Sequence, residues 1–152
     1  MAFKALGLSE KIVKSIIESG YTAPTEIQSL AIPVAMEGKD IIGIAQTGTG
    51  KTAAFALPIL NRLSTTSSDA KHHPRALVLT PTRELAIQVD EFVKNYGKFT
   101  NVRSLAVYGG VDIKKQLRTL KKGVDVIIAT PGRLLDHIHS KSINRQHVEF
   151  LV

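Results

Sequence analysis

Between an apolar run, Ile41–Ala45, and a stretch with helical spacing, Ala53, Ala54, Phe55, Ala56 and Leu57, lies the segment Gln46-Thr47-Gly48-Thr49-Gly50-Lys51-Thr52. An apolar strand, a glycine-rich turn and a helix in that order form a phosphate loop. Glycine tolerates the left-handed backbone that turns successive N–H groups inward around an anion, and the helix N-terminus adds a favourable dipole. In such a loop Lys51 reaches the β and γ phosphates of a nucleotide, and the Thr52 hydroxyl ligates Mg²⁺ alongside water and phosphate. The usual pattern opens on Gly where this chain has Ala45. The departure is mild, because the residues that touch phosphate follow it. A chance Gly-Lys-Thr in an ordinary turn is the bland alternative, and it leaves the flanking strand and helix patterns unexplained.

The rest of the chain carries the same α/β rhythm. Apolar runs at Ile41–Ala45, Ala76–Leu79, Val102–Val107, Val124–Ala129 and Val148–Val152 are expected strands. Helices are expected where Ile12, Val13, Ile16 and Ile17 share a face, and over Glu26–Met36, Lys51–Leu63, Glu84–Tyr96, Ile113–Leu120 and Arg133–Ile138. Strands alternating with helices imply a mostly parallel sheet flanked by helices. At 152 residues, 43% of them hydrophobic, the chain is the size of one domain with a core. Ser64–Arg75 is short of large apolar residues and rich in Ser and Thr, so it is expected as a mobile loop within that domain.

Charge and cysteine usage narrow the setting. Twenty Lys and Arg against thirteen Asp and Glu give a formal charge of +7, which favours a polyanionic partner. With no Cys there is no disulfide and no thiolate metal site, and the chain fits a reducing compartment. The first twenty residues carry charges at every turn, unlike a signal peptide or a membrane span, so a soluble cytoplasmic protein is expected. The five His residues show no metal-binding spacing; His72 and His73 fall in the loop, and His137, His139 and His147 are expected at the surface.

One four-residue pattern occurs twice, each time after a strand: Thr80-Pro81-Thr82-Arg83 follows Ala76–Leu79, and Thr130-Pro131-Gly132-Arg133 follows Val124–Ala129. In an open parallel sheet, ligands gather at the carboxyl ends of the strands. Two helix starts there, each with an Arg, make two phosphate seats. Thr is also a good N-cap and Pro suits a first helical turn, so both segments serve equally as ordinary helix starts. For the two Arg residues alone, a surface salt bridge is the default reading. Lys114, Lys115, Arg118, Lys121 and Lys122 cluster about one expected helix and read more simply as a solvated face.

Four signatures in this order and spacing resemble the DEAD-box RNA helicase family over essentially the whole chain. They are residues 20–28 (Gly-Tyr-Thr-Ala-Pro-Thr-Glu-Ile-Gln), residues 45–52, residues 81–86 (Pro-Thr-Arg-Glu-Leu-Ala) and residues 130–134 (Thr-Pro-Gly-Arg-Leu), with Gly109-Gly110 between the last two. Glu26 stands where family members often carry Pro. The resemblance implies a RecA-like P-loop NTPase domain that binds ATP and Mg²⁺ through Gln46, Thr47, Gly48, Thr49, Gly50, Lys51 and Thr52, with Lys51 and Thr52 in the catalytic machinery. It implies that Gln28 reads the adenine edge, that Phe3 and Tyr21 pack around the base, and that Thr25 supports the phosphate loop. A carboxamide does complement adenine N6 and N7. On the residues alone, Thr25-x-x-Gln28 is equally a helix capping box, Phe3 a plain hydrophobic residue and Tyr21 a core or staple residue. The resemblance further implies that Pro81, Thr82, Arg83, Gly109, Gly110, Thr130, Pro131, Gly132 and Arg133 grip the backbone of single-stranded or duplex RNA.

Phosphate-loop hydrolysis also needs an apolar strand ending in Asp to hold Mg²⁺. Asp125 lies near the start of its strand, the wrong end, and Val148–Val152 reads like the strand that leads into Asp-Glu-Ala-Asp. The expectation is a RecA-like domain incomplete at its C-terminus and lacking its second RecA-like domain. It belongs to an RNA-unwinding or RNP-remodelling ATPase, binds nucleotide and does not hydrolyse it alone. A non-catalytic RNA or nucleotide-binding module is the alternative, and an unrelated P-loop enzyme such as a small kinase a third.

Overall fold

The structure, a computed structural model, describes residues 2–67 and 73–152. Two compact units arise, one of Met1–Thr66 with Asn95–Asn101 and the other of Ser67–Lys94 with Val102–Val152.

The first unit is helical. A 3-10 turn, Lys4–Leu6, precedes α1 (Glu10–Glu18), α2 (Glu26–Met36) and α3 (Lys51–Thr65). In α1 the buried Ile12, Val13 and Ile16 form one face, and Gly20, at φ +83°, lets the chain turn away after it. α2 opens with the Thr25/Gln28 capping box and packs chiefly on α3. α3 buries Ala53, Ala54, Ala56, Leu57, Ile59, Leu60 and Leu63, too many directions for an amphipathic surface helix. Two polar contacts tie the unit together: the Ser9 N–H donates to Asn61 Oδ1 at 2.7 Å, and Ser15 Oγ donates to the Tyr96 carbonyl at 2.7 Å.

Ile41–Ala45 corrects the expectation of a fifth strand. No strand among the described residues pairs with it, and Ile42 and Ile44 are 93% and 89% exposed. An apolar run supplies the tendency to extend, but strand structure also needs a neighbour whose N–H and C=O groups complete the ladder.

The second unit holds a four-stranded sheet of β1 (Ala76–Leu79), β2 (Ser104–Val107), β3 (Val126–Ala129) and β4 (Phe150–Leu151), all parallel, in the order β2-β3-β1-β4. Helices α4 (Arg83–Tyr96), α5 (Ile113–Lys122) and α6 (Pro131–His139) provide the crossovers. β1 shares its register with β3 from Ala76 opposite Val126 to Leu79 opposite Ala129, which brings their carboxyl ends level. Leu77, Val107, Ile127 and Ala129 from one face of the sheet form a core with Leu120 of α5 and Leu134 of α6. The alternate residues Ala76, Val78, Val126 and Ile128 are buried on the other face. Burial on both faces is what a parallel sheet requires, and it explains the unbroken apolar strands.

Two further expectations are corrected. Ser64 and Thr65 finish α3, and Arg75, far from being a loop residue, is buried and paired through Nε with Glu149 at 2.6 Å, while its backbone bonds to Asp125 and Glu149. Of the expected loop, residues 68–72, including His72, lie outside the described residues. His137 is not at the surface: it is fully buried, because position 137 falls on the inward side of α6, three residues after Leu134. His139 and His147 are exposed. Among the described residues no helix is long and apolar enough to cross a membrane.

Candidate functional site

The phosphate loop lies in the helical unit. Gly48 and Gly50 take φ +82° and +85°, the left-handed backbone that their glycines permit, and Gly50 is the N-cap of α3. The loop is folded on itself. The Lys51 ammonium donates to the Ala45 carbonyl at 2.7 Å, and Thr49 Oγ1 donates to the Gln46 carbonyl at 2.5 Å. Gln46, Thr47 and Gly48 are exposed and Thr52 half-buried.

Gln28 is 4% exposed and has both ends of its amide engaged. Oε1 accepts from the Thr25 N–H at 3.0 Å, closing the capping box, while Nε2 donates to the Gly50 carbonyl at 3.2 Å. A Cβ added at Gly50 would overlap the Gln28 amide and lie 3.3 Å from Thr25 Oγ1. Thr25, Gln28 and the phosphate loop are therefore one packed assembly. Phe3 is a core residue at 2% exposure, with no open ring face, whereas Tyr21 is 52% exposed with its ring centroid 6.2 Å from that of Tyr96.

The second cluster lies at the carboxyl ends of β1 and β3. From β1 the chain crosses past β3 to β2; from β3 it crosses past β1 to β4. The connections leave these neighbouring strands in opposite directions, which defines the switch point where an open α/β sheet leaves a crevice. Both Thr-Pro-x-Arg segments sit there. The Thr80 N–H donates to the Ala129 carbonyl at 2.9 Å and the Thr130 N–H to the Val107 carbonyl at 3.0 Å, so each Thr fastens its segment to the neighbouring strand. Thr82 caps α4 by accepting from the Leu85 N–H at 3.2 Å, and Thr130 is the N-cap of α6 with Pro131 in the first turn.

The turn that follows β2 completes the cluster. Gly110, at φ +81°, lies close to Arg83, whose guanidinium carbon stands 5.0 Å from the centre of the Tyr108 ring. Arg133 Nη1 donates to the Val111 carbonyl at 3.2 Å and to Gln116 Oε1 at 3.3 Å, and its Nε lies 3.7 Å from the Asp136 carboxylate. Pro81, Thr82, Arg83, Gly109, Gly110, Pro131 and Gly132 are exposed, so the cluster presents an open surface bearing cations. Lys114, Lys115, Arg118, Lys121 and Lys122 are all exposed on α5, as a solvated face requires.

Residues 25–152 match the model of the DEAD/DEAH box helicase family. The chain belongs to that family. Among its relatives, the DEAD-box ATP-dependent RNA helicase RhpA of Helicobacter pylori is 50% identical over 144 residues, 95% of this chain and 28% of the relative. The ATP-dependent RNA helicase CshA of Listeria monocytogenes is 50% identical over 150 residues, 99% of this chain and again 28% of the relative. The chain thus spans little more than a quarter of these helicases. The crystal structure of a hypothetical ATP-dependent RNA helicase from Sulfolobus tokodaii superposes with a TM-score of 0.84 at 38% identity, over 95% of this chain and 40% of the other. The α/β fold expected from the alternation of strands and helices, and its RecA-like form implied by the resemblance, agree with this likeness.

Family membership draws attention to the motif residues, but three polar participants lie outside every motif: Tyr108, Gln116 and His137. Gln116 and His137 were legible in one respect. Each is a polar residue standing in an apolar helical stripe, Gln116 between Ile113 and Leu120 and His137 between Leu134 and Ile138.

Proposed function

We propose that this chain is the ATP-binding and RNA-contacting part of an ATP-dependent DEAD-box RNA helicase, a cytoplasmic enzyme that separates short RNA duplexes or remodels RNA–protein complexes. The observation that carries this reading is the pair of Arg-bearing helix starts, level at the switch point of the sheet, in a chain that also holds a phosphate loop. In this reading Gln46, Thr47, Gly48, Thr49, Gly50 and Lys51 receive the phosphates of ATP, and Lys51 exchanges its bond to Ala45 for the β and γ oxygens. Thr25 and Gln28 brace the loop, with Gln28 and Tyr21 on the side of the base. Pro81, Thr82, Arg83, Gly109, Gly110, Thr130, Pro131, Gly132 and Arg133 take the RNA backbone. Hydrogen bonds and charge directed at phosphate fix register without reading sequence.

Among the described residues there is no group of three His, Asp or Glu that would hold a metal. One hydroxyl, that of Thr52, fits a Mg²⁺ ion that arrives already complexed by nucleotide and water; such an ion neutralises phosphate charge. Asp125, adjacent to β3 in sequence, sits at its amino end, where Oδ2 accepts from the Arg103 N–H at 2.8 Å. The 152-residue chain is accordingly proposed to bind nucleotide without turning it over, with a second RecA-like domain needed for activity.

Calorimetric titration with ADP and with GDP tests the nucleotide half. Binding of ADP in preference to GDP is expected, with loss of that preference in Gln28→Ala. Gln28→Glu retains the acceptor that caps Thr25 but not the amide donor, so it separates base recognition from helix capping. Equal affinity for both nucleotides would reduce the site to a generic phosphate loop and overturn the adenine assignment.

A further inference from the structure

Gln116 is 5% exposed and makes three hydrogen bonds whose directions determine one another. Its Nε2 lies 3.0 Å from the Tyr108 carbonyl, which only accepts, so the amide nitrogen must face that way. Oε1 is thereby turned toward Arg133 Nη1 at 3.3 Å and His137 Nε2 at 2.8 Å. An amide oxygen only accepts, so His137 carries its proton on Nε2. That leaves Nδ1 as a buried acceptor without a hydrogen-bond partner among the described residues. A second proton there would create a buried cation beside Arg133. The imidazole is therefore held as the Nε2–H tautomer, the neutral form that donates to Gln116 Oε1.

We infer that Gln116 is a positioning residue for Arg133, and that His137 fixes Gln116 in turn. Gln116 joins the turn after β2, through Tyr108, to α6, through Arg133 and His137. Arg133 closes the same link by donating to Val111 at 3.2 Å. With Nη1 committed to these two acceptors, the guanidinium plane is fixed before any ligand arrives, and Nη2 remains for a phosphate oxygen. Preorganisation of this kind raises affinity by reducing the entropy lost on binding. The inference rests on the reading of Arg133 as an RNA contact.

The test is a fluorescence anisotropy titration of a labelled single-stranded RNA with the 152-residue chain. The variants are Arg133→Ala, Gln116→Leu, their double substitution and Gln116→Glu. Arg133→Ala is expected to weaken binding on the order of tenfold, as loss of one charge-assisted contact implies. Gln116→Leu is expected to lose several-fold, the double variant to bind no more weakly than Arg133→Ala alone, and Gln116→Glu, which still offers Arg133 and His137 an acceptor, to recover most of the affinity. The imidazole ¹H–¹⁵N spectrum gives an independent readout: an exchange-protected His137 Nε2–H resonance is expected in the unsubstituted chain and absent in Gln116→Leu. Unchanged RNA affinity in Gln116→Leu beside a weakened Arg133→Ala would overturn the inference and leave the RNA reading standing, as would multiplicative losses in the double variant. Unchanged affinity in Arg133→Ala would overturn the RNA reading at this seat and the inference with it. If Gln116→Leu fails to fold, Gln116→Glu decides: affinity as low as that of Arg133→Ala overturns the inference.

Discussion

The two Thr-Pro-x-Arg segments have the same pattern, follow adjacent parallel strands in matched register, and hold their arginines differently. In the first, helix α4 begins at the Arg itself; in the second, α6 begins two residues earlier, at the Pro. Two residues amount to about 200° of helical rotation, so the same motif position is carried to a different side of its helix. Arg83 is exposed and rests on the Tyr108 ring. The Arg133 side chain is only 14% exposed and is hydrogen-bonded to Val111 and Gln116. A repeated sequence motif thus fixes where an arginine enters the site but not how firmly it is held. The helix start decides that, and it depends on residue three of the motif: Thr82 caps α4, whereas Gly132 has no side chain with which to cap.

This contrast yields a graded set of expectations. The largest concerns stability. Arg133→Ala removes the donor to the Val111 carbonyl and leaves Gln116 Oε1 with His137 alone, and is expected to cost about 2 kcal/mol in denaturant unfolding, while Arg83→Ala removes one exposed ring contact and should cost about 0.5–1 kcal/mol. Both substitutions are expected to weaken RNA binding and to flatten its salt dependence. Equal stability losses would erase the distinction drawn here. An intermediate effect is expected at Gly110. Its φ of +81° strains any side chain, so Gly110→Ala should cost about 1 kcal/mol and, because the strained turn itself lies in ordinary contact with Arg83, 3.5 Å from the added carbon, shift the Arg83 seat ahead of the Arg133 seat. Equal losses of RNA affinity on combining Gly110→Ala with Arg83→Ala or with Arg133→Ala would contradict that ordering.

The smallest effect is pH-dependent and touches only the Arg133 side. Burial, and secondarily the charge of Arg133, lower the pKa of His137 from its ordinary 6.5, with Asp136 opposing. The unfolded chain therefore binds this proton more readily than the folded one, so the contribution is absent above about pH 6.5 and stability declines as pH falls below it. His137→Gln should abolish that part of the acid sensitivity; a decline of the same size in the variant would assign it elsewhere.

How far these features were legible depends on whether the physics was local. β1 and α2 were read from the sequence with their observed limits, Ala76–Leu79 and Glu26–Met36, because a charged residue, a threonine or a capping box marks their ends. The Ile41–Ala45 run shows the opposite case: its composition is local, but its pairing partner is not. Gln28 was legible from spacing as a capping residue, while its role as a base contact was an expectation from the family resemblance; its amide links the cap to the phosphate loop. No spacing rule would have joined Gln116 to His137, which are 21 residues apart on different helices.

The packing of Gln28 against Gly50 has a consequence for genetics. The backbone of the phosphate loop and the side chain of Gln28 occupy one shared volume, so a change at either position alters what the other tolerates. Among revertants of a Gly50→Asn chain, second-site changes that shorten residue 28 should recur, and each would regain the loop at the expense of the helix cap.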